Sequence, residues 1–174
     1  MKQKVTTREA ILEHALAIAK REGVDQVSIR KLAKECGIAV GSMYNYYPDK
    51  QTLISAVSQN FWSTLIKDQD RLYREGMGFT FFLEQYYMFL FVKLSDYDRS
   101  WLKEMDQGTK NQTVMLFKRV LDNDDRVNQS IWNMELNQDI FCNYVLTNII
   151  ALLRAGENNC RFFVFLLEHL LYDV

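Results

Sequence analysis

The stretch from Ser28 to Lys50, SIRKLAKECGIAVGSMYNYYPDK, concentrates groups suited to contacting a polyanion. Arg30, Lys31, Lys34 and Lys50 bring positive charge, while Ser28, Ser42, Asn45 and the tyrosines 44, 46 and 47 bring polar groups that fit phosphate oxygens and base edges. The chemistry this offers is non-covalent recognition. Catalytic signatures are missing elsewhere. His14 and His169 stand far apart and outside metal-binding spacings such as H-E-x-x-H. There is no G-x-S-x-G and no phosphate loop. Gly76-Met-Gly78 follows no strand pattern, and Phe81 occupies the place of a third glycine. The sequence therefore predicts no enzyme, no catalytic residue, no metal and no cofactor.

The elements that position these groups are legible locally. Ser28 can cap a helix through its hydroxyl, with Val27 and Leu32 as the two ends of a hydrophobic staple. Ile29, Leu32, Ala33 and Cys36 give that helix one apolar face. Gly37 falls where it should end, and Ile38 restarts the apolar pattern. A second short helix is predicted over Val40–Tyr46, with Met43 inward and Val40, Gly41, Ser42, Asn45 and Tyr46 outward. Tyr47 suits either the inner side or a phosphate. Tyr44 and Tyr46, two apart in a helix, would point about 200° from one another. Pro48 disfavours helix at Tyr47 and suits the start of a new one, which places Lys50 in its first turn. Helix, glycine turn and second helix are the layout of a helix-turn-helix, whose second helix enters the DNA major groove.

The run S-I-R-K-L-A-K-E-C-G-I-A-V-G-S-M-Y-N-Y-Y-P-D-K-Q-T-L resembles the DNA-binding region of TetR-family (tetracycline-repressor-like) transcriptional regulators, and ILEHALAIAKREG resembles that family's first helix. The resemblance covers about residues 7–55 and is carried by the G-I-x-x-x-x-x-Y-x-Y-Y-P-x-K spacing. It departs at Ile18, where the family usually has an aromatic residue. The resemblance implies a small effector held between central helices of a second domain, and a dimer built from the last two helices of each subunit. It also favours Tyr44 on the groove side, with Tyr46 beside the backbone.

Composition fits this reading. The 174 residues are 48% hydrophobic, with seven glycines and one proline, which favours an all-helical chain with a full core. The net charge of −1 hides an asymmetry: residues 1–50 hold nine Lys/Arg against six Asp/Glu, and the remainder twelve against sixteen. A basic end on an acidic body fits DNA contact at one end. MKQKVTTREAI lacks the apolar core of a signal peptide, and Thr6-x-x-Glu9 forms a capping-box pattern. No apolar run is long enough to span a bilayer, so a cytoplasmic location without membrane contact is expected. Cys36, Cys142 and Cys160 lack C-x-x-C spacing and read as buried apolar residues, with a Cys142/Cys160 redox switch as the minor alternative.

Beyond Pro48 the pattern predicts helices over about 49–73, 79–94, 98–107 (closed by Gly108), 111–121, 136–154 and 159–172. The loop Asp122–Arg126 and the Gly156 turn fall between them. FTFFLEQYYMFLF, with seven aromatics in thirteen residues, should be buried all round as a core helix that also lines a pocket. Trp62, Tyr86, Tyr87, Phe89, Trp101, Met105, Met115 and Tyr144 are the pocket candidates, suited to an aromatic or lipophilic ligand. CRFFVFLLEHLLY is too apolar for a monomer surface, with Phe163, Leu167 and Leu170 as dimer candidates.

The expected protein is an all-α, homodimeric repressor. Residues 1–48 form a three-helix helix-turn-helix domain, and 49–174 a helical domain for effector binding and dimerisation. Its partners are a palindromic double-stranded operator and a small hydrophobic or aromatic effector. Ser28, Arg30, Tyr47 and Lys50 would contact phosphate, with Val40, Gly41, Ser42, Tyr44 and Tyr46 closest to bases and backbone. Val40 suits a thymine methyl, and the early part of the helix carries no Arg, Asn or Gln for bidentate base contacts. The alternative is a helical small-molecule-binding protein that has lost DNA binding.

Overall fold

Thr7 opens the first helix, its hydroxyl oxygen accepting the N–H of Ala10 at 3.2 Å. Thr6, the cap expected from the sequence, lies outside the described residues. The computed structural model describes residues 7–95, 97, 99–103 and 105–172. These form eight α-helices joined by turns and short 3-10 segments, with no strand among the described residues. They gather into two compact units. One holds the chain up to Thr64 together with Leu94–Asp106, and the other holds Leu65–Lys93 and the chain from Gln107 onward.

In the first unit, α1 (Arg8–Glu22) buries Ile11, Ala15, Ile18 and Ala19, one stripe at helical spacing. Ile18 is fully buried, so the departure from an aromatic residue is a matter of core packing. α2 (Ile29–Cys36) is capped by the Ser28 hydroxyl, which accepts the N–H of Lys31. It buries Ile29, Leu32, Ala33 and Cys36. Gly37 ends it at φ 67°, a left-handed conformation that a side chain would strain, and the Ile38 N–H closes the turn on the Ala33 carbonyl. α3 (Val40–Tyr44) is five residues long. Pro48 and Asp49 then lead into α4 (Lys50–Gln69), where an Asp49 carboxylate oxygen accepts the Thr52 N–H at 2.7 Å. Phe61, Tyr97 and Trp101 pack ring against ring, with centroids 4.6–5.6 Å apart. Trp101 sits in a 3-10 segment, Arg99–Lys103, where a full helix is expected from the sequence.

The second unit is built from α5 (Phe79–Leu94, its last residue in the first unit), α6 (Gln107–Asp122), α7 (Gln138–Ala155) and α8 (Arg161–Leu171). Gly108 lies inside the first turn of α6 and closes no helix. The Phe117 ring of α6 meets Phe79, Phe82 and Tyr86 of α5 edge to face. α5 is not buried all round: Phe81, Met88 and Val92, at i, i+7 and i+11, form an exposed stripe.

One buried acid organises this unit. Asp124 is 4% exposed, and its carboxylate accepts the Phe79 N–H at 2.8 Å and the Tyr172 hydroxyl at 2.7 Å. Arg126 donates to the same carboxylate through Nε at 2.8 Å and Nη2 at 3.1 Å. Gly78 has no side chain to cap α5, and Asp124 does so across 45 residues. Burial pushes the carboxyl upward, but the hydrogen bonds from Arg126, Tyr172 and Phe79 outweigh it and hold the group at about 2. A β-carbon at Gly78 would fall 1.7 Å from Nη2 of Arg126, so a side chain there would displace the guanidinium from its present position.

Candidate nucleic-acid interface

A five-residue helix cannot sustain itself through its own hydrogen bonds. α3 is held because Met43 is fully buried and because Tyr47, 2% exposed, plugs the chain behind it. Tyr47 thus takes the inward of its two readings. A ring this buried belongs to the core, and Tyr47 leaves the set of phosphate contacts. α3 stops at Tyr44, not Tyr46. Asn45 and Tyr46 form a turn whose N–H groups donate to the Ser42 and Met43 carbonyls.

Opposite Met43, the outer face of α3 presents Val40, Gly41 and Tyr44, all exposed, with Ser42 and Tyr46 half-buried beside them. A β-carbon added to Gly41 meets nothing within 4 Å, so neither the local fold nor its packing requires glycine there. Ser28 is half-buried and used as a cap, while Arg30 is exposed on α2. Lys50 is exposed at the start of α4 and donates one of its three ammonium protons to the Asp25 carbonyl at 2.9 Å. Nearby cations are already paired: Arg21 bridges Glu22 and Glu35, and Lys31 pairs with Glu22. Hydrogen bonds from Lys31 and then Arg21 keep Glu22 below the usual carboxylate range. Sequence reasoning misses Arg8, whose Nη2 donates to the Tyr46 carbonyl at 3.0 Å, because a backbone acceptor 38 residues away leaves no pattern.

The pocket candidates are divided between the two units. Trp62, Trp101 and Met105 are buried in the first unit, whereas Tyr86, Tyr87, Phe89, Met115 and Tyr144 belong to the second. Both Tyr86 and Tyr87 have protein partners for their hydroxyls, in Thr113 and the Glu157 carbonyl respectively. Tyr87 lines a cleft of about 390 Å³ between α5 and the start of α8, and Met115 lines a separate one of about 380 Å³. A larger cleft, about 600 Å³, runs past Arg74, Thr80, Phe81, Glu84, Arg126 and Glu168 and contains none of the candidates. The indole N–H groups of Trp62 and Trp101 are buried and meet no acceptor among the described residues.

The dimer candidates also divide. Leu167 is 3% exposed and faces its own core, while Phe163 is half-buried and Leu170 exposed. The outward apolar face of α8 consists of Phe162, Phe165, Leu166 and Leu170, accompanied on α7 by exposed Ile140 and Tyr144. Cys142 and Cys160 are buried free thiols that burial pushes up to about 12 and about 11, which disfavours the thiolate needed for exchange. Among the described residues no helix is long and apolar enough to cross a membrane.

Fold and site together describe an all-helical chain with an N-terminal helix-turn-helix. Residues 11–57 match the sequence model of the bacterial regulatory proteins, tetR family, so this helix-turn-helix is of tetR-family type. The chain is 40% identical over 55 residues to the HTH-type transcriptional repressor KstR of Mycolicibacterium smegmatis, a match covering 31% of this chain and 27% of that protein. It is 35% identical over 65 residues to the HTH-type transcriptional regulator SAB2452 of Staphylococcus aureus, covering 37% and 35% respectively. The matched stretch thus spans about a third or less of these relatives. Two solved structures share the fold. TetR from Acinetobacter baumannii AYE has a TM-score of 0.59 at 15% identity, over 84% of this chain and 73% of that one. A single-substitution variant of TetR from the same strain, in complex with minocycline, has a TM-score of 0.57 at 16% identity, over 95% and 94%.

Proposed function

We propose that this protein is a cytoplasmic, homodimeric transcriptional regulator, a repressor, that binds a palindromic operator through α3. The observation that carries the reading is α3 itself: a short helix anchored by Met43, with an exposed outer face of Val40, Gly41 and Tyr44, in a tetR-type helix-turn-helix. Residues 1–48 would bind DNA, and 49–174 would bind effector and dimerise. Ser28, Arg30 and Lys50 would position the protein on phosphates, while Val40, Gly41, Ser42, Tyr44 and Tyr46 approach the groove.

Two substitutions test it on an operator selected from random DNA. Gly41→Ala should leave the fold intact or raise helix stability by about 1 kcal/mol. Its methyl meets no protein atom, so a fall in operator affinity in the folded variant reports DNA approaching that backbone. Lys50→Ala should weaken binding to all sequences and lower the salt slope by about one unit per half-site. Unchanged affinity in both variants, or a wild type that selects no operator, would favour the alternative of a ligand-binding protein without DNA function.

The effector is read as a small hydrophobic or aromatic molecule. The minocycline complex of a similar fold supports this, as do the aromatic residues of both units. A ligand changes DNA affinity only through differential affinity for two conformations. α4, which contributes residues to both units, is the segment proposed to carry that change. A binding effector should alter Trp62 or Trp101 fluorescence and weaken operator binding. Tight ligands that leave DNA affinity unchanged at saturation would refute the linkage.

A further inference from the structure

α3 has little of its own to define where it points. Its N-cap is Ala39, which makes no side-chain hydrogen bond, and the helix runs for only five residues before the chain turns. After Tyr44 the chain turns through Asn45 and Tyr46, which places the Tyr46 carbonyl beyond the end of the helix. The Tyr46 carbonyl instead receives Nη2 of Arg8, from the first turn of α1, at 3.0 Å. The same guanidinium lies 5.5 Å from the centroid of the buried Tyr47 ring. A planar cation that both donates and stacks holds a fixed direction better than a flexible ammonium does.

We propose that Arg8 is a positioning residue for operator recognition: it clamps the Tyr46 carbonyl against α1 and so sets the orientation in which α3 presents its outer face. The inference rests on the DNA-binding reading above, but it concerns a residue outside the helix-turn-helix. Arg8 acts through α3 and not through a phosphate. Losing the clamp therefore widens the range of α3 orientations, which penalises the operator complex and spares loosely registered binding to random DNA.

The test uses the full chain, its selected operator and a random duplex across a salt series, with Arg8→Met and Arg8→Lys. Methionine keeps much of the aliphatic stem and removes both donor and charge, while lysine restores a donor. Arg8→Met is expected to reduce operator affinity about tenfold, as for loss of a charge-assisted hydrogen bond. Random-DNA affinity and the salt slope should stay as in wild type, and Arg8→Lys should recover part of the loss. Amide exchange in the free protein should accelerate at Tyr46 and Tyr47, whose N–H groups close the turn on Met43, and remain unchanged within α2. A salt slope lowered in Arg8→Met, with operator and random DNA weakened alike, would make Arg8 a phosphate contact and overturn the proposal. So would unchanged operator affinity or unchanged exchange at Tyr46 and Tyr47. A wild type that selects no operator would instead sink the DNA-binding reading, and the positioning role with it.

Discussion

Asp124→Ala will cost the protein about 3 kcal/mol, the range expected when a buried charged acceptor is removed and its donors are left behind. The buried Phe79 N–H loses its capping acceptor, the Tyr172 hydroxyl loses its partner, and the Arg126 guanidinium loses both hydrogen bonds to the carboxylate. Asp124→Asn should lose less, since the amide oxygen can still face Phe79 while its NH₂ group meets Arg126 unfavourably. The pH dependence has a definite sign. The folded carboxyl, at about 2, lies below its ordinary value of 3.8, so its contribution is present above 3.8 and is lost as pH falls toward 2. Denaturant melts of wild type and both variants between pH 5 and 2 check this. The variants should lack that component of the acid loss. Equal stability of wild type and Asp124→Ala at pH 7 would refute the capping role.

The second large effect concerns assembly. Phe162 is 75% exposed and Leu166 49% exposed on the outward face of α8, and the double variant Phe162→Asp/Leu166→Asp should be a folded monomer. A two-fold dimer binds its second half-site at the effective concentration set by the first, so the monomer should lose about 10²–10⁴-fold in operator affinity. Leu167→Asp is the contrasting control. It buries a charge in the subunit's own core and should unfold the protein instead of dissociating it. Sedimentation at micromolar concentration reads the first outcome and circular dichroism the second. A wild-type monomer, or a double variant that remains dimeric, would remove α8 from the proposed interface.

The helix-turn-helix is legible in the sequence because its determinants are local. Ser28 caps, Gly37 turns left-handed, Met43 points inward and Pro48 stops the run, each within a few residues of what it controls. α5 is legible from Phe79 to Leu94 because an apolar run between Gly78 and a polar stretch marks its own ends. What stays hidden depends on distant partners. Nothing around Asp124 announces that it caps a helix 45 residues earlier, and Arg8 has no sequence neighbour that reveals its carbonyl. α8 is ambiguous for another reason. Apolar on several sides, its periodicity cannot tell Leu166 from Leu167, and only packing against the rest of the unit separates them. The pocket candidates share that ambiguity, since an aromatic ring in the core and one lining a cavity are the same residue type.

The first compact unit is discontinuous, closing only when Leu94–Asp106 rejoins the chain that ended at Thr64. During synthesis the α1–α3 segment emerges ahead of Leu94–Asp106 and can form from local contacts, but Phe61 must wait about forty residues for Trp101. Within that interval the nascent chain carries exposed aromatic surface, and the recognition element is delivered before the ring cluster around Phe61 is complete. Truncation after α4 would hold the chain at this stage permanently. A fragment that keeps every residue of the helix-turn-helix would still lack the ring cluster on which the first unit closes.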